Sequence, residues 1–172
     1  GYVKNLNLEG VNMLQSSIED VSSSNITTDA NTVLPPNWIV SKNKLLGPTA
    51  YISHTDLTNT ILDLANLSNA TITGVTGDNV TWDDYSKEKL PDGYIYEGSN
   101  IFGPDVNLAG ANIDDCDLTD LNMENVDMSG ATITDTIMTG VKLDLSNNNL
   151  ANASLNNIIS NYVLPYNAVK KT

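Results

Sequence analysis

The chain has 172 residues, the length of one ordinary domain, and 40% of them are hydrophobic, enough for a sizeable core. Eight basic residues, all lysine, stand against twenty-one acidic ones, for a net charge of −13. Surfaces that hold phosphates are built from Lys and Arg, so direct DNA or RNA contact is excluded. Asparagine occurs 24 times. Short polar side chains of this kind compete for backbone hydrogen bonds and disfavour helix, yet the chain is too apolar to be disordered.

Taken in chain order, the sequence divides into fives. Residues 6–30 read LNLEG, VNMLQ, SSIED, VSSSN, ITTDA. A spacer, LPPNWIVSKNKLLGP, covers 34–48. Residues 50–84 return to fives as AYISH, TDLTN, TILDL, ANLSN, ATITG, VTGDN, VTWDD. A second spacer, LPDGYIYEGSNIFGP, covers 90–104 and aligns with the first without a gap, Trp38 matching Tyr94 and Leu46 matching Phe102. The third block, 106–162, runs VNLAG, ANIDD, CDLTD, LNMEN, VDMSG, ATITD, TIMTG, slips by two at Val141–Lys142, then resumes to Tyr162. A further spacer opens in the segment 164–172, and the chain reads as a window of a longer tandem array or a unit joining end to end.

Of the 23 central places in these fives, 19 are apolar, against about nine expected from the composition. A period of five fits neither a helix nor an ordinary strand, and it predicts a solenoid. The predicted axis is filled by Leu57, Leu62, Leu67, Leu108, Ile113, Leu118, Met123, Met128 and Ile133, with small or apolar first residues between them. Each spacer holds two short apolar stretches around a polar turn, which predicts a β-hairpin leaving the coil at a corner.

Fives such as Ala65-Asn66-Leu67-Ser68-Asn69 and Ala111-Asn112-Ile113-Asp114-Asp115 resemble the A-(D/N)-L-x-x consensus of the pentapeptide repeat family. The resemblance implies an all-β fold: a right-handed quadrilateral β-helix, one five to a side, interrupted here by the two LP…GP spacers. Phenylalanine, common at that family's central places, is absent from them here. Coils would stack at the strand spacing of ~4.8 Å, which sets residues twenty apart in one column, Asp115 with Asp135 for example.

No catalytic constellation emerges. Cys116, which lacks a disulfide partner, falls at an inward place and reads as a buried structural thiol. His54 falls at an outward place with no second histidine. The acidic run Asp114, Asp115, Asp117, Asp120, Glu124 and Asp127 offers oxygen ligands of the kind calcium takes, but no spacing matches a calcium loop, so solvated surface and no cofactor are expected. Sequons at Asn25, Asn66, Asn69, Asn79 and Asn152 are as many as chance supplies in so Asn-rich a chain, although Asn66 would point outward and suit a glycan. The longest apolar runs are a few residues, so no membrane helix is expected, and Gly1 does not open a signal peptide.

The reading that follows is a non-catalytic rod: a segment of an extracellular fibre, adhesin-like surface protein or virion appendage. It would self-associate end to end, through Trp38, Tyr94, Tyr96 and Phe102 as contact residues. Against it stands a second reading taken from the resemblance, that some pentapeptide repeat proteins are DNA mimics that bind topoisomerases. Six of the eight lysines lie in or beside the spacers or the terminal segment (Lys42, Lys44, Lys87, Lys89, Lys170, Lys171), where they would break a continuous acidic face.

Overall fold

A computed structural model describes residues 1–83, 89–143, 150, 153–156, 159 and, as backbone, 169–170. Every named element is a short β-strand: β1 (Tyr2–Lys4), β2 (Ser22–Ser24), β3 (Ile39–Ser41), β4 (Lys44–Leu46), β5 (Tyr51–Ser53), β6 (Thr71–Thr73), β7 (Ile95–Glu97), β8 (Asn100–Phe102), β9 (Asn112–Asp114), β10 (Thr132–Thr134), β11 (Ser154–Asn156) and β12 (Val169–Lys170). The fold is all-β, and no helix among the described residues is long and apolar enough to cross a membrane.

Parallel pairing at a fixed offset makes the solenoid. Tyr2 pairs Ser22, Tyr51 pairs Thr71 and Asn112 pairs Thr132, each twenty residues on. Several single bridges keep the same offset, as in Asp56 to Thr76 and Asn107 to Asp127, while the bridge across the second hairpin, Thr76 to Asn107, spans thirty-one. Four fives therefore complete one turn of the chain. Lys142 still pairs Asn122 at twenty, and beyond it the offset becomes twenty-two, Thr132 to Ser154 and Ile137 to Ile159, so two extra residues enter between Lys142 and Ser154 and the ladder resumes past them.

Backbone hydrogen bonds run between coils, so each five needs only to turn its own corner. Two devices do this. The Asx side chain at the second place of a five accepts a hydrogen bond from the amide two residues on: Asn7 from Glu9, Asp56 from Thr58, Asn66 from Ser68, Asn107 from Ala109, Asp117 from Thr119, Asp127 from Ser129. The fifth residue then takes the left-handed conformation, as Gly110, Asp115, Asp120, Asn125, Gly130, Asp135 and Gly140 all do. Gly, Asn and Asp visit that region most readily. The excess of asparagine is thus a demand of the corners.

In the two longer blocks every first and third residue from Ala50 to Trp82 and from Val106 to Met138 is buried. Leu57, Leu62, Leu67, Leu108, Ile113, Met123 and Met128 are fully enclosed, with Leu118 and Ile133 nearly so. The first block is looser: Leu6, Val11 and Leu14 are exposed, while Met13 and Ile18 are half-buried.

The segments 34–48 and 90–104 each contain a two-stranded antiparallel hairpin, β3–β4 with Ile39 opposite Leu46 and β7–β8 with Ile95 opposite Phe102. Both fold back on the coil. The equivalent tip residues Asn43 and Ser99 accept hydrogen bonds from the Ile26 and Val80 amides, 2.9 and 2.7 Å. The inner strands bury Leu45, Leu46, Ile101 and Phe102 against the solenoid.

Candidate functional site: the acidic face

Outward places carry the charge. Asp114, Asp115, Asp117, Asp120, Glu124 and Asp135 are exposed and Asp127 is half-buried. The pairing of Asp114 with Thr134 sets Asp115 and Asp135 at the same corner of successive coils, and the Asp115 amide donates to Thr134 O at 3.1 Å. The second hairpin adds to this surface. Glu97 lies beside Asp117, whose amide donates to Glu97 Oε1 at 2.9 Å, and Asp105 Oδ1 accepts from Asn125 Nδ2 at 3.0 Å across the coil spacing.

Some carboxylates double as structural acceptors. Asp29 Oδ1 takes the Gly10 amide at 2.8 Å and the Thr32 hydroxyl at 2.8 Å, and these donors, the Gly10 amide first, hold its carboxyl down to about 2. The Thr58 hydroxyl and amide, with the charge of Lys42, lower Asp56. Hydrogen bonds of this kind favour the ionised form, so these two carboxylates keep their charge further into acid than an ordinary one.

Two lysines beside the hairpins bond inward. Lys44 Nζ donates to Thr55 Oγ1 at 2.7 Å and lies 3.4 Å from Ser53 O, and Lys89 Nζ lies 3.4 Å from Asp63 O. Lys87 and Lys171 fall outside the described residues, and only the backbone of Lys170 is described.

Of Trp38, Tyr94, Tyr96 and Phe102, expected to meet a partner, burial corrects the expectation for Trp38 and Phe102. Trp38 and Phe102 are buried, and both tyrosines are half-buried. The Tyr94 hydroxyl donates to Ile72 O (2.8 Å) and Pro104 O (3.1 Å), and the Tyr96 hydroxyl to Val80 O (2.8 Å), with its ring edge-on to Trp82 at 5.9 Å. Each aromatic ring fastens a hairpin to the coil. Among the exposed apolar residues, Ile61 and Leu64 share the outward places of one five, which the sequence reading passed over.

Cys116 is 2% exposed and its thiol donates to Asp114 O at 3.3 Å. Burial, with the nearby charge of Glu97 next, pushes it up to about 11 from its ordinary 9.0. A raised thiol contributes stability that is intact below pH 9 and is lost as pH rises through about 11. A thiol-reactive disulfide reagent at pH 8 should therefore label the folded chain at least about a hundredfold more slowly than the urea-unfolded chain; equal rates would mean the coil opens there.

His54 stands exposed on a left-handed corner beside Gly74. Among the described residues no three His, Cys, Asp or Glu side chains are grouped to hold a metal ion. Among the sequons, Asn25 donates to Asn5 Oδ1 and Asn79 to Asn59 Oδ1 in the coil-to-coil direction. Asn66 is half-buried with its Oδ1 engaged by Ser68, Asn69 is exposed, and Asn152 lies outside the described residues.

This geometry defines a class, a β-solenoid with an acidic outer surface and two hairpins fastened to its wall. Comparison with known proteins adds a family match over part of the chain. Eight copies of the model for pentapeptide repeats match, at residues 50–76 and 105–140, so those segments are pentapeptide repeats. No curated protein matches the chain at the level of sequence. Among solved structures it is similar to three of QnrB1, a plasmid-mediated fluoroquinolone resistance protein. A trypsin-treated variant is 11% identical, with 92% of this chain and 76% of that one covered at a TM-score of 0.27. The full-length protein is 15% identical, with 94% and 88% covered at 0.25. A second trypsin-treated variant is 14% identical, with 92% and 83% covered at 0.29.

The expected fibre, adhesin or virion role, its extracellular or surface location, and end-to-end self-association are corrected. The three solved structures named above are of a fluoroquinolone resistance protein, and Trp38 and Phe102, two of the residues meant to join units, are buried. The exclusion of nucleic acid is narrowed as well. Negative charge excludes contact with phosphate, not a partner that itself holds DNA.

Proposed function

We propose that this protein is a non-catalytic acidic rod that binds a topoisomerase, its carboxylate face occupying the enzyme's basic DNA groove in place of a duplex. In this reading the coil is right-handed and four-sided, and its LP…GP hairpins are cladding on the rod. The observation that carries it is the stacked acidic surface of the third block, where Asp115 and Asp135 share a corner column and Glu97 extends the face from the hairpin. A duplex presents one charge per ~1.7 Å of axis, and coils stacked at ~4.8 Å with carboxylates on several outward places approach a comparable linear density. The objection that spacer lysines interrupt this face weakens at Lys44 and Lys89, whose ammonium groups turn onto hydroxyl and carbonyl oxygens of the coil.

The test is a topoisomerase relaxation or supercoiling assay with added protein, combined with binding measured against competing duplex DNA. Binding should be displaced by DNA and should weaken steeply with salt, as interactions between exposed charges do. Failure of DNA to compete would sink the reading. Asp115→Asn, Asp120→Asn and Asp135→Asn combined should lower the affinity by about tenfold or more and leave stability within about 0.5 kcal/mol per site, because Asn accepts the same left-handed corner.

A further inference from the structure

The tip of the second hairpin meets the coil wall at a polar cleft of about 400 Å³, lined by Asp78, Asn79, Ser99, Asn100 and Asn112, with Gly98 and Gly110 at its edges. It has an open side for a definite reason. Gly110 occupies the corner that follows Asn59 and Asn79 up the coil, and a Cβ built on it would meet nothing within 4 Å.

The lining is rich in acceptors. Asn100 is 1% exposed, and its Nδ2 donates to Gly98 O (2.8 Å) and Asn112 O (3.0 Å). Those two bonds fix the amide's orientation, and Oδ1 is left buried with no hydrogen-bond partner. Asn79 spends its Nδ2 on Asn59 Oδ1, which leaves its own carbonyl oxygen as an acceptor. Asp78 accepts the Thr58 hydroxyl on Oδ1 at 2.9 Å, leaving Oδ2. Asp78 is the sole charged residue of the lining. One carboxylate among neutral acceptors is poor in charge for a divalent metal, which collects several anionic oxygens. It suits a monovalent, planar, multi-donor cation.

We infer that this cleft receives the guanidinium of an arginine side chain on a partner protein, Asp78 supplying the charge and Asn79 the neutral acceptor, with the buried Asn100 amide holding the hairpin tip against the wall. The inference rests on the acidic-rod reading for the partner's basic character, while the cleft's own chemistry can be tested without that partner. Methylguanidinium chloride is titrated into the isotope-labelled protein and followed by amide NMR, with sodium chloride at equal ionic strength and calcium chloride as controls. Saturable shifts are expected at the Asn79 and Asn100 side-chain amides and at the Gly98 and Gly110 backbone amides.

Asp78→Asn, which keeps the acceptor for Thr58, should weaken this binding about tenfold, the loss of one charge-assisted hydrogen bond. Gly110→Asn fills the cleft at a positive φ that Asn tolerates and leaves the net charge at −13; it should abolish the saturable shifts. Shifts that never saturate and spread over every exposed carboxylate would overturn the inference. So would binding that survives Gly110→Asn, or saturation by calcium with methylguanidinium silent. Wild-type protein that saturates with methylguanidinium yet does not compete for a topoisomerase keeps the cleft and sinks the acidic-rod reading. A Gly110→Asn variant that competes as well as wild type sinks the arginine assignment alone.

Discussion

Ile113→Ala should destabilise the solenoid by about 2–5 kcal/mol, toward the upper end of the range for buried aliphatic truncations. Ile113 is fully buried and its backbone is held in parallel register with Ile133 on the next coil. The cost of such a change depends on how far the surroundings collapse into the space left behind. Here they have little freedom. The wall facing the cavity is a ladder of inter-coil hydrogen bonds, among them Asp115 N to Thr134 O and Thr132 N to Ala111 O, and moving inward would break them. Leu6→Ala is the control, since Leu6 is 37% exposed in the looser first block and should lose about 1 kcal/mol or less. Urea unfolding of the two variants checks this. Equal midpoints would mean that the axis is loosely packed.

Gly47→Ala should cost about 1–3 kcal/mol through overpacking, with a red shift and partial exposure of tryptophan fluorescence. A Cβ at Gly47 would lie 2.3 Å from Trp38 Cδ2 and 2.6 Å from Cε3, so the ring must move. Trp38 has little room to do so, because it is 7% exposed and lies over the hairpin base next to Leu45 and Leu46, both buried. The same contact recurs in the second hairpin, where a Cβ at Gly103 would lie 2.3 Å from the Tyr94 ring. There the ring is also tied by its hydroxyl to Ile72 O and Pro104 O, so Gly103→Ala should be no milder. Gly→Ala normally gains a few tenths of a kcal/mol through the unfolded chain. A rise in melting temperature for Gly47→Ala would therefore show that the ring is not clamped.

The period of five was legible because burial in the two longer blocks depends on place within the five and hardly on anything else. Ala50, Thr55, Thr60 and Ala65 are buried alike although two are polar. A two-residue slip was legible for the same reason and reappears as the offset of twenty-two, but it falls after Lys142, which still pairs Asn122 at twenty, and not at Val141–Lys142. What the hairpins do was not legible. Their aromatic residues could cover the coil or face a partner, and the choice turns on Trp38 and Tyr94 closing over Gly47 and Gly103, contacts between residues nine apart that no periodicity displays. The excess of asparagine was visible but pointed only away from helix, because a left-handed corner leaves no period of its own apart from the five. Ile61 and Leu64 carried a signal that went unread, two apolar residues in outward places of TILDL. The cleft at Gly110 depends on one hairpin tip meeting one side-chain-free corner, and neither spacing nor composition encodes that meeting.

The corner chemistry separates this molecule's charge from its shape. The left-handed fifth place accepts Asp115, Asn125 or Gly130 on equal terms, and the second place makes the same turn with Asn107 as with Asp127. Asp and Asn differ by one proton's worth of charge and almost nothing in volume. A gene drifting between the two at these places would repaint the rod from neutral to strongly anionic while every coil kept its ladder. Surface potential is then a nearly free variable of the backbone, one that selection can tune corner by corner.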